Sequence, residues 1–134
     1  MMQENGVGIA APQIGRSLQL IIVASRPNLR YPDAPLMEPL AMINPKIHNS
    51  STQKVLGWEG CLSVPGLRGS VERSESIEVS FYDLDGVQQQ NWYHGFVARI
   101  IQHECDHLLG KVFLDRVRSP KAIISEDEYF QEAL

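Results

Sequence analysis

Long apolar runs are missing from this sequence, and so is any excess of basic residues. No stretch approaches the roughly 20 apolar residues that a transmembrane helix needs, and no signal-peptide pattern follows Met1. Lys and Arg number 12 against 16 Asp and Glu, which gives a net charge of −4. Because phosphate contacts require clustered Lys and Arg, the composition argues against a nucleic-acid-binding surface.

Cysteine is scarce, since the chain has two, Cys61 and Cys105. Such a pair can form a disulfide in an oxidising compartment, but in an intracellular protein a metal-binding or catalytic role is commoner for at least one of them. The sequence also lacks internal repeats and low-complexity segments. Its 134 residues suit one compact domain with a single core.

The first half of the chain contains two strand-like patterns. Residues 18–24 form a short apolar run typical of a buried strand. Residues 40–47 predict a second strand, in which Pro45 indicates an edge or a bulge. Residues 26–39 hold four prolines and are expected to form an irregular loop. Residues 6–13 are too small and apolar for an ordinary strand, and alone would suggest a tight loop.

The second half predicts a hairpin followed by a helix. Apolar residues alternate with polar ones over residues 77–81, which indicates a half-buried strand. Residues 83–86, with the sequence Asp-Leu-Asp-Gly, predict a hairpin turn into a returning strand at residues 87–93. Residues 112–117 suit one more short strand. We therefore predict an α+β fold with antiparallel strands packed around a central metal-binding helix.

That helix, residues 95–109 with Gly110 as its left-handed cap, carries an H-E-x-x-H motif. Residues four apart share one helix face, so His103 and His107 can reach the same metal ion. Glu104 lies one step round the helix, where a carboxylate can act as a base. Two nitrogen ligands, an open coordination position and a base are what a metal-dependent hydrolase requires.

The apolar residues of the helix point the same way as the motif. Phe96 and Ile100 share the stripe of the two histidines, and Val97 and Ile101 share the stripe of Glu104. The alternative is a core helix with two satisfied histidines and a buried glutamate. Burying an unpaired carboxylate costs several kcal/mol, so this alternative needs partners for all three side chains.

A catalytic metal site usually has a third protein ligand. Thermolysin-like proteases use a glutamate further along the chain, whereas here Cys61 stands out within a Glu-Gly-Cys-Leu-Ser segment at residues 59–63. A thiolate is a strong ligand for iron or zinc. The alternative is that Cys61 is a small buried hydrophobe. Cys105 falls off the histidine face and is expected to pack beside the site.

Three segments in this order resemble the peptide deformylase family. They are Gly-Val-Gly-Ile-Ala-Ala-Pro-Gln at residues 6–13, the segment at residues 59–63, and Gln-His-Glu-Cys-Asp-His at residues 102–107. The resemblance covers nearly the whole chain. Residues 95–99, Gly-Phe-Val-Ala-Arg, are more similar to the mitochondrial and plant-type branch than to the enterobacterial form.

The resemblance implies removal of the N-formyl group from the initiator methionine of new polypeptides, so formyl-methionyl nascent peptides are the expected partners. It implies that Cys61, His103 and His107 hold one divalent metal ion, natively Fe(II), which zinc, nickel or cobalt can replace. Glu104 would be the general base and acid. The Gln13 amide and the Leu62 backbone N–H would stabilise the oxyanion, so the list of expected catalytic residues is Glu104, Gln13 and Leu62.

The resemblance also implies how the substrate is held. Main-chain groups of Val7, Gly8 and Gly60 would bind the peptide as an added strand. Val7, together with Phe96, the stem of Arg99, Ile100 and His103, would line the methionine pocket. Gly8 and the backbone of residues 60–61 would close the space that an acetyl methyl needs.

Two further residues have open interpretations. Glu59 is expected to pair with an arginine, for which Arg68, Arg73 and Arg99 are candidates. That pair would orient the Cys61 loop, or would be an ordinary salt bridge. Asp106 would orient a ligand imidazole or face solvent.

The family comparison implies one catalytic domain over residues 1–134 that lacks the family's usual N-terminal strand and helix. We expect a transient ribosome contact, no direct nucleic-acid binding and no membrane association. We also expect a location in the cytoplasm, as a bacterial or phage-encoded protein, or in an organelle matrix, without secretion. Two rival functions are a general metallopeptidase and a non-catalytic protein on the same scaffold.

Overall fold

The computed structural model describes residues 8–14, 18–25, 35–61, 64–109, 116 and 123–125. The side chains of residues 8–14, 18, 61, 64–66 and 124 are not among those described. Within these ranges the protein has two antiparallel sheets and one α-helix. The predicted α+β class with strands packed around a central helix is therefore confirmed.

The larger sheet has five strands in the order β1-β2-β3-β6-β7. Their bounds are β1 Gly8–Ile14, β2 Leu18–Val23, β3 Leu40–Ser50, β6 Ser76–Tyr82 and β7 Gln88–His94. The smaller sheet has the order β4-β5-β8, with β4 Lys54–Cys61, β5 Val64–Ser74 and β8 Ile123–Ser125. The helix α1 spans Gly95–Leu108 and follows β7 directly.

The hydrophobic core lies between the five-stranded sheet and α1. Alternate residues of β6, namely Ile77, Val79 and Phe81, are buried, as the period of two in the sequence predicts. The helix contributes Ile100 and Ile101 to the same core. The other buried members of the cluster are Ile21, Val23, Met42 and Ala98.

A bulge in β3 explains how a proline is tolerated in a strand with neighbours on both sides. The pairing of β3 with β6 shifts register between Ile43 and Lys46, and Asn44 has a φ of 51°. The Asn44 side-chain oxygen accepts a hydrogen bond of 2.9 Å from the Gln19 N–H. Because proline cannot donate to the ladder, the bulge predicted at Pro45 is confirmed.

The predicted hairpin between β6 and β7 is also confirmed. The Asp83 carboxylate accepts bonds of 2.9 Å from the backbone N–H groups of both Asp85 and Val87. Gly86 has a φ of 79°, which favours glycine. An aspartate side chain that accepts hydrogen bonds from backbone N–H groups a few residues later stabilises a turn locally. The sequence of these four residues was therefore sufficient to predict the turn.

One expectation about strands was wrong, and another is contradicted at the single residue where the structure describes it. Residues 8–14 form β1, which pairs with β2 from Gly8↔Val23 to Ile14↔Leu18. The small residues of β1 have low strand propensity. Pairing with β2 and contacts with α1 stabilise the strand instead. Arg116 has a 3₁₀ conformation rather than a strand one, while the rest of residues 112–117, Gly110 and residues 26–34 lie outside the described ranges.

The smaller sheet was not predicted at all. Strands β4 and β5 pair over most of their length, from Lys54↔Ser74 to Cys61↔Val64. The sequence of β4, Lys-Val-Leu-Gly-Trp-Glu-Gly-Cys, has two glycines and no regular alternation of apolar residues. Its stability comes from cross-strand pairing with β5 and from polar contacts with the helix, and neither can be read from a local pattern.

The helix begins at a sharp junction with β7. His94 occupies the N-cap position in an extended conformation, and Gly95 has a φ of 61°, which favours glycine. The helix has 14 residues, and no helix in the described ranges is long and apolar enough to cross a membrane.

The middle of the helix is largely buried. Its buried residues include the apolar Ile100 and Ile101 and also the charged Arg99 and Asp106. Arg99, Gln102, His103 and Asp106 follow the i, i+3, i+4, i+7 spacing of one stripe. This polar stripe contacts β4 and β5, whereas the apolar stripe contacts the five-stranded sheet. The helix therefore carries its polar residues into the space between the two sheets.

Candidate metal centre

The two motif histidines lie next to each other on α1. Their ring centroids are 4.7 Å apart, and the ring planes are inclined at 57°. His103 is buried and His107 is half-buried. The predicted placement of both imidazoles on one inward face is confirmed, and two rings so close can approach one ion.

Glu104 presents a buried carboxylate beside the histidines. Its Oε1 lies 3.3 Å from the His107 Nδ1 without forming a hydrogen bond, and it has no other hydrogen-bond partner within the described part of the chain. A buried carboxylate oxygen is costly when it lacks a donor. A solvent molecule or ion at this position would supply what the oxygen lacks, so the arrangement fits an occupied metal site.

The strand that contacts His103 also carries Cys61. Glu59 and Cys61 are two residues apart at the end of β4, and the pairing with β5 is irregular between them. The Cys61 side chain lies outside the described set. Among the side chains that are described, no three His, Cys, Asp or Glu residues form a group able to hold a metal ion. A third ligand beside the two histidines would have to come from outside that set, where the Cys61 side chain lies.

Glu59 contacts the first motif histidine. Its Oε1 lies 2.9 Å from the His103 Nδ1. Because a carboxylate can only accept, His103 donates from Nδ1, and in the neutral imidazole Nε2 is then the nitrogen that can offer a lone pair to a metal ion. A carboxylate behind a ligand imidazole fixes both the tautomer and the direction of the ring.

Two arginines hold the Glu59 carboxylate. Arg73 binds both oxygens, with its Nε and Nη2 each at 2.9 Å, and Arg99 donates from Nη1 to Oε2. Burial alone would raise the pKa of Glu59, but the hydrogen bonds from Arg73 and His103 outweigh it and hold that pKa at about 2. Glu59 is therefore ionised at neutral pH. The expected pairing with an arginine is confirmed for Arg73 and Arg99.

The Arg99 guanidinium is anchored between the strands of the smaller sheet. Besides Glu59, it donates to the carbonyls of Val71 at 3.0 Å and Val55 at 2.6 Å. The space that it occupies exists because residue 57 is glycine: a Cβ there would lie 2.9 Å from the Arg99 Cζ. The buried guanidinium of Arg99 therefore connects the helix to both β4 and β5 through hydrogen bonds.

Replacing Gly57 with alanine is expected to destabilise the protein by about 1–3 kcal/mol, because overpacking would displace a guanidinium that has three acceptors. Thermal or denaturant unfolding measures the effect. The control is the same substitution in an Arg99→Met background, where the clash is gone and Gly57→Ala should cost little. An equal cost in both backgrounds would contradict the role given to this contact.

Asp106 does neither of the two things expected from the sequence. It is buried, so solvent exposure is wrong, and its partners are arginines rather than an imidazole. Arg73 donates from Nη1 at 2.6 Å, and Arg116 donates from Nη2 at 2.8 Å and Nε at 3.1 Å. No local pattern links Asp106 to Arg73, which lies 33 residues earlier, so sequence reasoning missed this pair.

These contacts join into a continuous set, which we call the buried ion-pair network and which consists of Glu59, Arg73, Arg99, His103, Asp106 and Arg116. It connects β4, β5 and α1. Four of its charged side chains are nearly inaccessible, while that of Arg116 is 40% exposed.

Neighbouring helix residues behave as expected or take structural roles. Cys105 is a free thiol packed against the core. Burial raises its pKa to about 12, with the carboxylates of Asp106 and Glu104 adding to the effect. The Gln102 side chain donates to the Ser74 carbonyl at 2.9 Å and accepts from the Ser74 N–H at 3.0 Å, which clamps the helix to β5.

The other predicted site residues lie on the elements around the motif. Phe96 and Ile100 are on α1, and Ile100 is buried in the core. Gly60 is in β4. Gly8 and Gln13 are in β1, with the Gln13 side chain outside the described set, and Val7 and Leu62 lie wholly outside the described ranges.

Comparisons with known proteins agree with this arrangement. The sequence matches the polypeptide deformylase family over residues 1–122. It is 61% identical over 125 residues to peptide deformylase 2 of Nostoc sp., covering 93% of this chain and 70% of that protein. It is 51% identical over 128 residues to peptide deformylase 2 of Shewanella oneidensis, covering 96% of this chain and 71% of that protein.

The fold is similar to that of a class I type b peptide deformylase from Acinetobacter baumannii, solved with Met-Ala-Ser bound. The TM-score is 0.81 at 54% identity, and the match covers 87% of this chain and 74% of the other. The three motif segments of the sequence analysis all fall within the family match. The chain therefore belongs to the peptide deformylase family, metal-dependent hydrolases that remove the formyl group from the N-terminal methionine of nascent polypeptides.

Proposed function

We propose that this chain removes the formyl group with the catalytic residues Glu104, Gln13 and Leu62 around a divalent metal ion held by Cys61, His103 and His107. The buried Glu104 oxygen, which lacks a hydrogen-bond donor beside two adjacent imidazoles, is the observation that carries this proposal. One thiolate and two imidazoles suit iron, zinc, nickel or cobalt. A bound ion would supply Lewis-acid chemistry, by lowering the pKa of water and polarising the formyl carbonyl.

Glu104 acts as the proton carrier. It takes the proton from the attacking water and later gives it to the amine that leaves. Its burial keeps bulk solvent from the proton during the reaction. The i, i+3 relation to His107 holds its Oε1 near the ligand ring, which supports a position beside the reacting group.

The oxyanion is stabilised by two donors from the chain. These are the side-chain amide of Gln13 and the backbone N–H of Leu62. Gln13 belongs to β1, which α1 contacts, and Leu62 directly follows Cys61 at the end of β4. The contact of β1 with the helix, and the position of Leu62 next to Cys61 in the sequence, support two donors that act on the formyl oxygen, where the negative charge develops.

The methionyl peptide binds between β1 and β4. Main-chain groups of Val7, Gly8 and Gly60 would pair with it as an added strand. The methionine side chain enters a pocket lined by Phe96, Ile100, the stem of Arg99, Val7 and His103. Anchoring of the Arg99 guanidinium to Val55, Val71 and Glu59 leaves its apolar stem as the part that can face a ligand.

The test of this proposal compares three peptides. The Acinetobacter relative was solved with Met-Ala-Ser bound, so formyl-Met-Ala-Ser is the chosen substrate. The metal-loaded chain should release formate from it, should leave acetyl-Met-Ala-Ser intact, and should not cleave Met-Ala-Ser. Cleavage within Met-Ala-Ser would favour a general metallopeptidase, and no reaction with any peptide would favour a non-catalytic protein.

Fe(II) is the proposed native metal, and it should make the activity sensitive to oxygen. A ferrous ion and an adjacent thiolate can both be oxidised. The iron-loaded protein should lose activity in air, while nickel-loaded and cobalt-loaded protein should keep it. Activity is followed over time with and without oxygen, after metal analysis of each sample. Equal half-lives of the iron form in both atmospheres would contradict this prediction.

The proposed partners are formylated nascent chains and, transiently, the ribosome that makes them. The Nostoc and Shewanella relatives come from bacteria, and a probable deformylase of a Synechococcus phage has a similar fold, with a TM-score of 0.69. We therefore place this chain where formylated initiators are used, in a bacterial cytoplasm or an organelle matrix. Co-sedimentation with ribosomes carrying formyl-methionyl chains tests the transient contact.

A further inference from the structure

The Glu59 carboxylate, which contacts His103, is bound by the planar guanidinium of Arg73. Arg73 presents one edge of its guanidinium, Nε and Nη2, to the two oxygens of Glu59, with both distances 2.9 Å. Its remaining terminal nitrogen, Nη1, donates to Asp106 at 2.6 Å. The rigid guanidinium of Arg73 thus connects β5, β4 and α1. Its orientation is fixed by Glu59 on one side and by Asp106 on the other.

Because these charged side chains are buried, their contacts need accurate geometry. The side chains of Glu59, Arg73 and Asp106 are 3%, 6% and 9% exposed. Buried charges are tolerated only when they are paired with good geometry. A small displacement of Arg73 would weaken its hydrogen bonds to both carboxylates, leaving Glu59 with Arg99 and Asp106 with Arg116 as their arginine partners. The bidentate contact fixes the plane of the Glu59 carboxylate, and that plane determines where Oε1 meets the His103 Nδ1.

We propose that Arg73, oriented by Asp106, is a positioning residue that locks His103 in the Nδ1–H tautomer and so prepares its Nε2 for the metal ion. The described side-chain hydrogen bonds of Arg73 go to Glu59 and Asp106, so Arg73 acts on His103 through Glu59. Asp106 lies three residues after His103 on the same helix stripe. The helix that carries His103 therefore also carries the residue that orients Arg73, and through it Glu59. This inference rests on the proposed role of His103 as a ligand.

The test uses Arg73→Lys and Asp106→Asn in the full chain. A lysine keeps the charge of Arg73 but cannot bind two carboxylates in one plane. Asparagine keeps the shape of Asp106 and removes its charge. The control is Gln102→Leu, which breaks the hydrogen bonds between the same helix and the same strand. The described hydrogen bonds of the Gln102 side chain go to Ser74 and Ala98, and neither residue belongs to the buried ion-pair network.

Two quantities are measured besides thermal stability. Zinc affinity is obtained by chelator competition, and the tautomer of His103 is read from nitrogen–proton correlation spectra of metal-free protein at alkaline pH, with the signals assigned through His103→Gln. Arg73→Lys should weaken zinc binding by about 10- to 100-fold, the usual effect of losing support behind a ligand, and Asp106→Asn by less. Both should convert part of His103 from the Nδ1–H form to the Nε2–H form.

The control separates positioning from general support of the fold. Gln102→Leu should lower the melting temperature while leaving zinc affinity within about two-fold and the His103 tautomer unchanged. The proposal is overturned if Arg73→Lys leaves the tautomer unchanged, or if Gln102→Leu shifts affinity and tautomer as much as Arg73→Lys does. Because the tautomer is read without metal and without substrate, failure of the deformylase assignment would not be mistaken for failure of this inference.

Discussion

Glu104→Gln is expected to slow the hydrolysis of formyl-Met-Ala-Ser by about 10²–10⁴-fold and to leave the metal content of the protein unchanged. Glutamine has nearly the shape of glutamate but cannot take a proton from water, and removal of a general base has an effect of this size. The carboxylate is buried beside the two histidines, and one of its oxygens lacks a hydrogen-bond donor in the described part of the chain.

The measurement is steady-state turnover together with metal analysis of the same sample. Glu78→Gln is the matched control, because Glu78 lies on β6, away from the motif, and bonds to Asn49 and Gln90 near the surface. The control should retain full activity. Near-normal turnover of Glu104→Gln at full metal occupancy would remove Glu104 from the mechanism.

Cys61→Ala is expected to lose both metal and activity. Among the described side chains no group of three possible metal ligands is found, and Cys61 ends β4, two residues after the Glu59 that contacts His103. A site reduced to two imidazoles loses the soft thiolate that favours iron or zinc. Metal stoichiometry after dialysis measures the loss.

The second cysteine provides the control for this experiment. Cys105→Ala removes a thiol from the same protein, but burial raises the pKa of that thiol to about 12, so it is neutral at neutral pH. This variant should keep its metal and its turnover. Stoichiometric metal in Cys61→Ala, or equal losses in both variants, would show that the wrong ligand had been chosen.

Features with a local cause could be predicted from the sequence. The hairpin at residues 83–86 depends on the Asp83 carboxylate and on a glycine with positive φ, which are all within four residues. The bulge at Pro45 follows from the missing N–H of proline. The pairing of His103 with His107 follows from helix geometry, because the two residues are one turn apart.

Features with distant causes could not be predicted. The smaller sheet is stabilised by pairing between strands and by the helix, so β4 and β5 carry no clear alternation. Asp106 lies 33 residues from Arg73, and a local pattern cannot show that three arginines meet two carboxylates next to His103. Polar residues on a buried stripe look like a solvated helix face until the second sheet is known.

The ligand set of the metal ion is the central claim of this account. X-ray absorption spectroscopy of the zinc-loaded or cobalt-loaded protein measures it most directly, since the spectrum distinguishes sulfur from nitrogen neighbours. We expect one sulfur and two imidazole nitrogens in the wild-type protein, loss of one imidazole signal in His107→Ala, and no change in Cys105→Ala. A spectrum without sulfur, or with a sulfur signal that disappears in Cys105→Ala, would contradict the assignment of Cys61, His103 and His107.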